Sequence, residues 1–261
     1  MNNLEVNTIH NESNLVTMAK MPDCFIDLTV TSPPYDGLRD YNGYSFDFEN
    51  VAKELYRVTK DGGVVVWIVN DSTINGSETL TSFKQAIYFN EVGFNVHDTM
   101  IWRRRTLPQN STRYEPAFEY MFVFSKGKPK TFNPIKKKAL YEESRKKKTY
   151  HRNGKDGVHT ENELTRHETV VIDNVWDIPN RGNDKLAHKH PAIFPEDLAK
   201  KHIFSWSNKG DVIYDPFAGS GTTIKMAHLQ NRDWIASEIS LEYIKLANKR
   251  LKPYLTQTTL F

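Results

Sequence analysis

The sequence predicts an α/β domain, a mostly parallel doubly wound sheet with a basic segment inserted outside it. Three observations carry this expectation. Strand-like runs alternate with stretches of helical spacing up to about Ser125, and the pattern returns after His190. One run, Val64-Val65-Val66-Trp67-Ile68-Val69, is apolar throughout and bounded by Gly63 and Asn70-Asp71, as expected of a central strand buried on both faces. Between Lys126 and about Val170 the periodicity dissolves, apolar residues thin out, and Lys and Arg crowd in.

Taken in order, Leu4 to Ile9 alternates weakly and reads as a short strand. Asn11 or Ser13 caps a helix over Asn14 to Lys20. Cys24 to Val30 is β-prone and largely alternating, a buried strand that runs into Thr31-Ser32-Pro33-Pro34-Tyr35. Neither proline can donate to a ladder, and each has φ fixed. The residue before a proline is held extended as well. The pentapeptide is therefore either a plain strand-terminating turn or a rigid segment presenting the Ser32 hydroxyl, backbone carbonyls and the flat ring of Tyr35. Asp36 to Ser45, rich in Gly, Asp, Asn and Tyr, reads as a loop. Phe48, Val51, Ala52, Leu55 and Val58 recur at helical spacing, and Asp61-Gly62-Gly63 is expected to end that helix. A second helix is expected over Leu80 to Phe89, with strands over Phe94 to Trp102 and Phe118 to Ser125. Val170 to Ile178 regains some strand character and ends at Pro179. Pro195-Glu196-Asp197 opens a helix lined by Leu198, His202, Ile203 and Trp206, with proline and acids in its first turn. A strand over Val212 to Asp215, a glycine-rich turn and a helix over Ile224 to Leu229 follow. Trp234 to Glu238 is the next strand, and Leu241 to Leu251 the closing helix.

Composition bounds the function. At 261 residues, with 38% hydrophobic and 12% aromatic content, the chain can bury the core of one large α/β domain with an insert. No apolar run reaches the roughly 18 residues of a membrane span, and the N-terminus carries no secretory pattern, so no membrane association and a cytoplasmic setting are expected. The single cysteine, Cys24, excludes an internal disulfide and a multi-cysteine zinc site. His151, His159, His167, His188, His190 and His202 lack a metal-ligand spacing, and no metal is expected. The net charge of +3 hides an asymmetry: 12 basic residues face three acids between Lys126 and Asp156, so that segment carries +9 and the remainder −6. Such a block is either a polyanion contact or a solvated tract.

The glycine-rich turn Pro216 to Gly221 lies between a strand and a helix, at the sheet edge where α/β proteins bind ligands. Gly219 and Gly221 permit close backbone approach and positive φ. Glu238 ends the neighbouring strand about 20 residues on, a place suited to ribose hydroxyls. No Lys follows Gly221, so this is no phosphate loop, and Gly-x-Gly-x-x-Gly is not met either. The turn is either structural or a cradle for a nucleoside that brings no pyrophosphate. S-adenosylmethionine is the common candidate: its amino group suits Asp215, and its carboxylate suits the helix-start N–H groups.

Together, Asp215-Pro216-Phe217-Ala218-Gly219-Ser220-Gly221-Thr222-Thr223 and the upstream Thr31-Ser32-Pro33-Pro34-Tyr35 resemble the amino-group DNA methyltransferases. The order, with the catalytic loop first, a basic insert next and the cofactor loop last, resembles the beta group of that family. His190-Pro191-Ala192-Ile193-Phe194-Pro195 resembles its other cofactor-side motif, and Asn174-Val175-Trp176-Asp177-Ile178-Pro179 is similar to a segment of these enzymes. The resemblance implies a Rossmann-like methyltransferase sheet of about seven strands. Its catalytic half would span 1–125, a target-recognition insert 126–178 and the cofactor half 179–261. It also implies methyl transfer from S-adenosyl-L-methionine to an exocyclic amino group in double-stranded DNA. Ser32, Pro33, Pro34 and Tyr35 would be catalytic. Thr31, His190, Pro191, Phe194, Pro195, the stretch Asp215 to Thr223 and Glu238 would hold the cofactor. Arg103, Arg104, Arg105, Lys136, Lys137, Lys138, Arg145, Lys146, Lys147, Lys148 and Arg152 would contact DNA. Members with Ser at the Ser32 place mostly act on cytosine N4, and those with Asp or Asn on adenine N6. Cytosine N4 is therefore the expected target, with adenine N6 and a non-catalytic DNA-binding protein of the same fold as alternatives. A cognate restriction endonuclease and a second copy of the chain in a homodimer are compatible further partners.

Overall fold

The computed structural model describes residues 4–34, 47–105, 112–139, 168–180 and 195–255, with the backbone alone at 147–150 and 159–162. The chain opens with β1 (Thr8–His10), α1 (Asn14–Ala19), β2 (Ile26–Thr31), α2 (Phe48–Val58) and β3 (Thr59–Val69). A small hairpin of β4 (Thr73–Ile74) and β5 (Ser77–Glu78) precedes α3 (Thr81–Val92), β6 (Asn95–Arg103) and β7 (Phe118–Ser125). Four short strands follow: β8 (Lys136–Lys138), β9 (Lys147–Tyr150), β10 (His159–Asn162) and β11 (Thr169–Val171). The last elements are β12 (Val175–Asp177), α4 (Glu196–Trp206), β13 (Val212–Asp215), α5 (Thr222–Leu229), β14 (Asp233–Ser237) and α6 (Leu241–Leu255).

The chain divides into two compact units, Met1–Asn133 with Asn174–Phe261, and Pro134–Asp173. The first is built on an eight-stranded sheet ordered β1-β14-β13-β2-β3-β7-β6-β12. β7 runs antiparallel to both of its neighbours, β3 and β6, and every other neighbouring pair is parallel. The carboxyl ends of all strands but β7 therefore line one edge. This is the α/β, mostly parallel sheet that the alternating pattern predicts, with eight strands rather than about seven. The added strand is β12, which pairs with β6 from Val175↔Ile101 to Asp177↔Arg103. The sequence places these residues in the insert. The strand character read over Val170 to Ile178 is thus met in part by β12, and what three residues cannot display is the partner that makes them part of the main sheet. The Trp102 indole N–H donates to the Ile178 carbonyl at 2.8 Å, and Trp176 lies 4.6 Å from the ring of buried His202.

Among the described residues, the second unit holds two antiparallel pairs, β8 with β11 and β9 with β10. Lys136, Lys137 and Lys138 are exposed, and Lys137 Nζ pairs with Asp173 at 2.9 Å.

The core of the first unit follows from pattern. Val64 to Val69 is buried along its whole length, as its apolar sequence requires. α2 buries Val51, Ala52, Leu55 and Val58, one stripe at helical spacing. Between them sits an aromatic cluster in which Phe89 stacks on Phe124 at 4.4 Å and meets Trp67 edge-on at 5.1 Å.

One expectation fails. Gly62-Gly63 does not end α2, because the chain turns extended at Thr59 and both glycines lie inside β3. The pairing of β2 with β3 shifts register across them. Gly62 has φ +80, and a side chain there would collide with Lys130. Its N–H donates to the Lys126 carbonyl at 2.6 Å, and its own carbonyl accepts from Lys130 N at 3.0 Å. The pair is a bulge that lets a second segment of backbone close on the strand.

Among the described residues, no helix is long and apolar enough to cross a membrane. Phe89→Ala empties the centre of the aromatic cluster. It is expected to cost about 3–5 kcal/mol of stability, measured as a shift in the urea unfolding midpoint at constant slope.

Candidate active site

The two loops singled out in the sequence leave neighbouring strands. β13 pairs in parallel with β2 through Ile213↔Leu28 and Tyr214↔Thr29, so Thr31 and Asp215 emerge together at the carboxyl edge. Thr31 Oγ1 donates to Asp215 Oδ1 at 2.8 Å, and both residues are buried. The Phe217 N–H donates to the same oxygen at 3.1 Å. At the far end of the loop, Thr223 Oγ1 donates to the Val30 carbonyl at 3.0 Å. The glycine loop is thus fastened to the end of β2 at both of its ends.

Inside the loop the backbone folds on itself. Gly219 and Gly221 adopt φ +48 and +77, and the Gly221 N–H donates to the Ala218 carbonyl at 2.7 Å. A Cβ on Gly221 would lie 2.9 Å from the Ala247 Cβ of α6, so glycine is required there for approach as well as for φ. Glu238, one residue past β14, accepts the Gly219 N–H on Oε2 and the Ser240 N–H on Oε1, each at 2.8 Å. The carboxylate has about four acceptor positions in all, which leaves capacity for a further donor. Phe217 is half-buried, its ring 6.2 Å from that of Trp67, whose indole N–H is held by Gln85 at 2.8 Å.

Burial dominates the electrostatics. It pushes the Asp215 carboxyl up to about 6, opposed by the bonds from Thr31 and Phe217 and reinforced by the nearby Glu238. Burial likewise raises Glu238, against the N–H groups of Ser240, Gly219 and Ile239.

The catalytic candidates continue β2. Pro33 is buried, and Ser32 and Pro34 are half-buried. Pro195 is the buried N-cap residue of α4. Tyr35, His190, Pro191 and Phe194 lie outside the described residues. So do Arg145, Lys146 and Arg152, and the side chains of Lys147 and Lys148. Arg103, Arg104 and Arg105 sit at the carboxyl end of β6, on the same sheet edge as Thr31. Arg103 and Arg105 are exposed, and Arg103 pairs with Asp177 at 3.4 Å. Arg104 turns toward the buried Glu119, at 3.2 Å.

One residue of the site escapes sequence reasoning. Arg250 of α6 is buried beneath the glycine loop, where its Nη1 donates to the Ser220 carbonyl, to Ser220 Oγ at 2.9 Å and to Thr222 Oγ1 at 3.2 Å. A signal existed. Ala247, Arg250 and Leu251 fall at i, i+3 and i+4 on the buried stripe of α6, a face on which an arginine needs a partner.

A family model described as DNA methylase matches residues 26–249 of the chain. The orphan methyltransferase M.BamHII of Bacillus amyloliquefaciens is 56% identical over 242 residues, covering 89% of this chain and 91% of that protein. Among solved structures, the PvuII DNA methyltransferase, described as cytosine-N4-specific, superposes with a TM-score of 0.70 at 20% identity, over 93% of this chain and 85% of its own. A Thermus thermophilus protein solved with S-adenosyl-L-methionine superposes at 0.66 and 23% identity, over 95% and 94%. At these identities the solved structures speak to the fold.

The Asp215 carboxyl sets a pH dependence. Folding raises its pKa from the ordinary 3.8 to about 6. Its contribution to stability is therefore complete below about 4 and is lost as pH rises through about 6. Asp215→Asn keeps the Oδ1 acceptor but cannot ionise. In urea unfolding without ligand, the variant is expected to gain on the wild type by roughly 1–3 kcal/mol between pH 4 and pH 7. A pH-independent difference contradicts this.

Proposed function

The chain belongs to the N6/N4 DNA methylase family, in the beta-group order of its motifs, and from that premise we propose that it is a cytosine-N4 DNA methyltransferase acting on a base flipped out of duplex DNA. The observation that carries this reading is the buried Thr31–Asp215 bond, which sets the segment starting at Ser32 directly beside the glycine loop.

S-adenosyl-L-methionine is the methyl donor of this reading, and the residues present suit it. Asp215 offers a buried carboxylate to an ammonium group, which in turn favours the ionised form that burial disfavours. Glu238 offers acceptor capacity to ribose hydroxyls. The first turn of α5 offers N–H groups that no helical carbonyl precedes, suited to a carboxylate. Phe217 and the left-handed glycines allow a nucleoside to lie close against the backbone. Bound there, the donor supplies an electrophilic methyl group on sulfur.

The chain's own residues then act on the base. A base within a duplex is out of reach, so the target leaves the stack and Tyr35 receives its flat face. The exocyclic nitrogen is a poor nucleophile because its lone pair is delocalised into the ring. Ser32 Oγ and the Pro33 carbonyl accept its two N–H bonds, which favours a pyramidal nitrogen with the lone pair aimed at the methyl carbon. Serine is too weak a base to remove the proton beforehand, so proton loss accompanies or follows transfer. The acceleration comes from positioning and from dipoles fixed before reaction. Ser32, in place of an acid or amide, supports cytosine over adenine. The rigid Pro33-Pro34 step keeps these acceptors in place without side-chain entropy to lose.

Duplex DNA is held by phosphate contacts from the basic insert, with Arg103 and Arg105 at the sheet edge in the same role. Arg104 supports the edge through Glu119.

The test is incubation with methyl-labelled donor and mixed-sequence duplex DNA, followed by nucleoside mass spectrometry. N4-methylcytosine is expected, falling by about a hundredfold or more in Ser32→Ala while donor affinity stays within about threefold. N6-methyladenine as the product overturns the cytosine reading, and unlabelled DNA overturns methyl transfer itself.

A further inference from the structure

We propose that Arg250 is a positioning residue for the methyl donor, a buried fastening that holds the glycine loop and the start of α4 in one register. This rests on the donor reading above and goes beyond it, since Arg250 lies in neither loop.

The guanidinium has no solvent exposure, and its two ends face different elements. Nη1 reaches the Ser220 carbonyl, Ser220 Oγ and Thr222 Oγ1, the residues on either side of Gly221. Nη2 donates to Glu196 Oε1 at 3.0 Å. Glu196 is the first residue of α4 and follows Pro195 directly. A loop with two glycines at positive φ has several backbone states open to it, and its bound shape must be selected. The Arg250 fork selects one by fixing the carbonyl that precedes Gly221. Its planar geometry serves both partners at once, which a lysine ammonium on a flexible stem does not reproduce.

The surrounding charges provide a control. Lys225 of α5, itself buried, donates to the same Glu196 oxygen at 2.7 Å and lies 4.7 Å over the Tyr254 ring. Glu196 therefore keeps a cation when Arg250 is removed, and removal of Lys225 disturbs the same carboxylate while leaving the bonds from Arg250 to the loop. Loop positioning and general stability of the ion cluster thus give different results.

The experiment measures S-adenosyl-L-methionine binding by calorimetry, together with steady-state kinetics on duplex DNA, for the full chain and three variants. Arg250→Met is expected to weaken donor binding at least about tenfold and to raise donor KM in parallel, while kcat at saturating donor stays within about threefold. Arg250→Lys falls between it and the wild type, and carries the same test should Arg250→Met not fold. Lys225→Met lowers the unfolding midpoint but leaves donor affinity within about twofold. Wild-type donor affinity in folded Arg250→Met or Arg250→Lys overturns the proposal. So does a loss in Lys225→Met as large as that in Arg250→Met, which makes the cluster a matter of stability alone. Failure of the wild type to bind the donor is a separate result, and it overturns the donor reading on which the proposal stands.

Discussion

A single hydroxyl-to-carboxylate hydrogen bond, 2.8 Å from Thr31 to Asp215, joins residues 184 positions apart and gives the sheet edge its chemistry. It exists because β2 and β13 are parallel neighbours, so their carboxyl ends arrive together. Ser32 and the two prolines continue one strand, and the glycine loop continues the other. Without that adjacency each loop is an ordinary turn. With it, the Ser32-Pro33-Pro34 segment stands beside the glycine loop, the spatial relation that the proposed transfer between two bound partners requires.

The same bond carries an energetic tension. Asp215 is buried, and burial opposes its charge. Two donors, from Thr31 and Phe217, offset that opposition only in part. The carboxyl is left near the midpoint of its titration around pH 6, where a cationic ligand has the most leverage over it. The surrounding fastenings fit this picture, with Thr223 on Val30, Glu238 on Gly219 and Arg250 on Ser220. They fix the backbone of the loop, and in the proposed reading the Asp215 charge is left to be satisfied by the donor's ammonium group.

Much of this is legible in the sequence, for reasons that differ by element. Val64 to Val69 declares itself because a strand buried on both faces has no alternation to disguise it. Phe118 to Ser125 and the helix over Phe48 to Val58 are equally plain. The two loops are visible because Pro and Gly appear where backbone geometry demands them. What is missed is set by distant partners. Gly62-Gly63 looks like a helix stop but is a bulge made necessary by the backbone at Lys126 to Lys130. Val175–Asp177 shows some strand character in the sequence, but its pairing with β6, which takes it out of the insert and into the main sheet, does not show there. Arg104 reads as one of three surface cations, yet Glu119 draws it inward. Arg250 draws no notice in the closing helix until its neighbours Ala247 and Leu251 are seen to be buried. Strand order itself, on which the Thr31–Asp215 contact depends, is not a local property of any segment.

The coupling across that contact is the most direct point of test. Donor affinity measured by calorimetry in wild type, Thr31→Val, Asp215→Ala and the double variant forms a closed cycle, since each single change removes the bond. If the bond links the catalytic strand end to the donor loop, the two losses are non-additive, with an interaction energy of about 1–2 kcal/mol. Losses that add to within about 0.3 kcal/mol show that the two loops act independently, and they contradict the central role given to the contact.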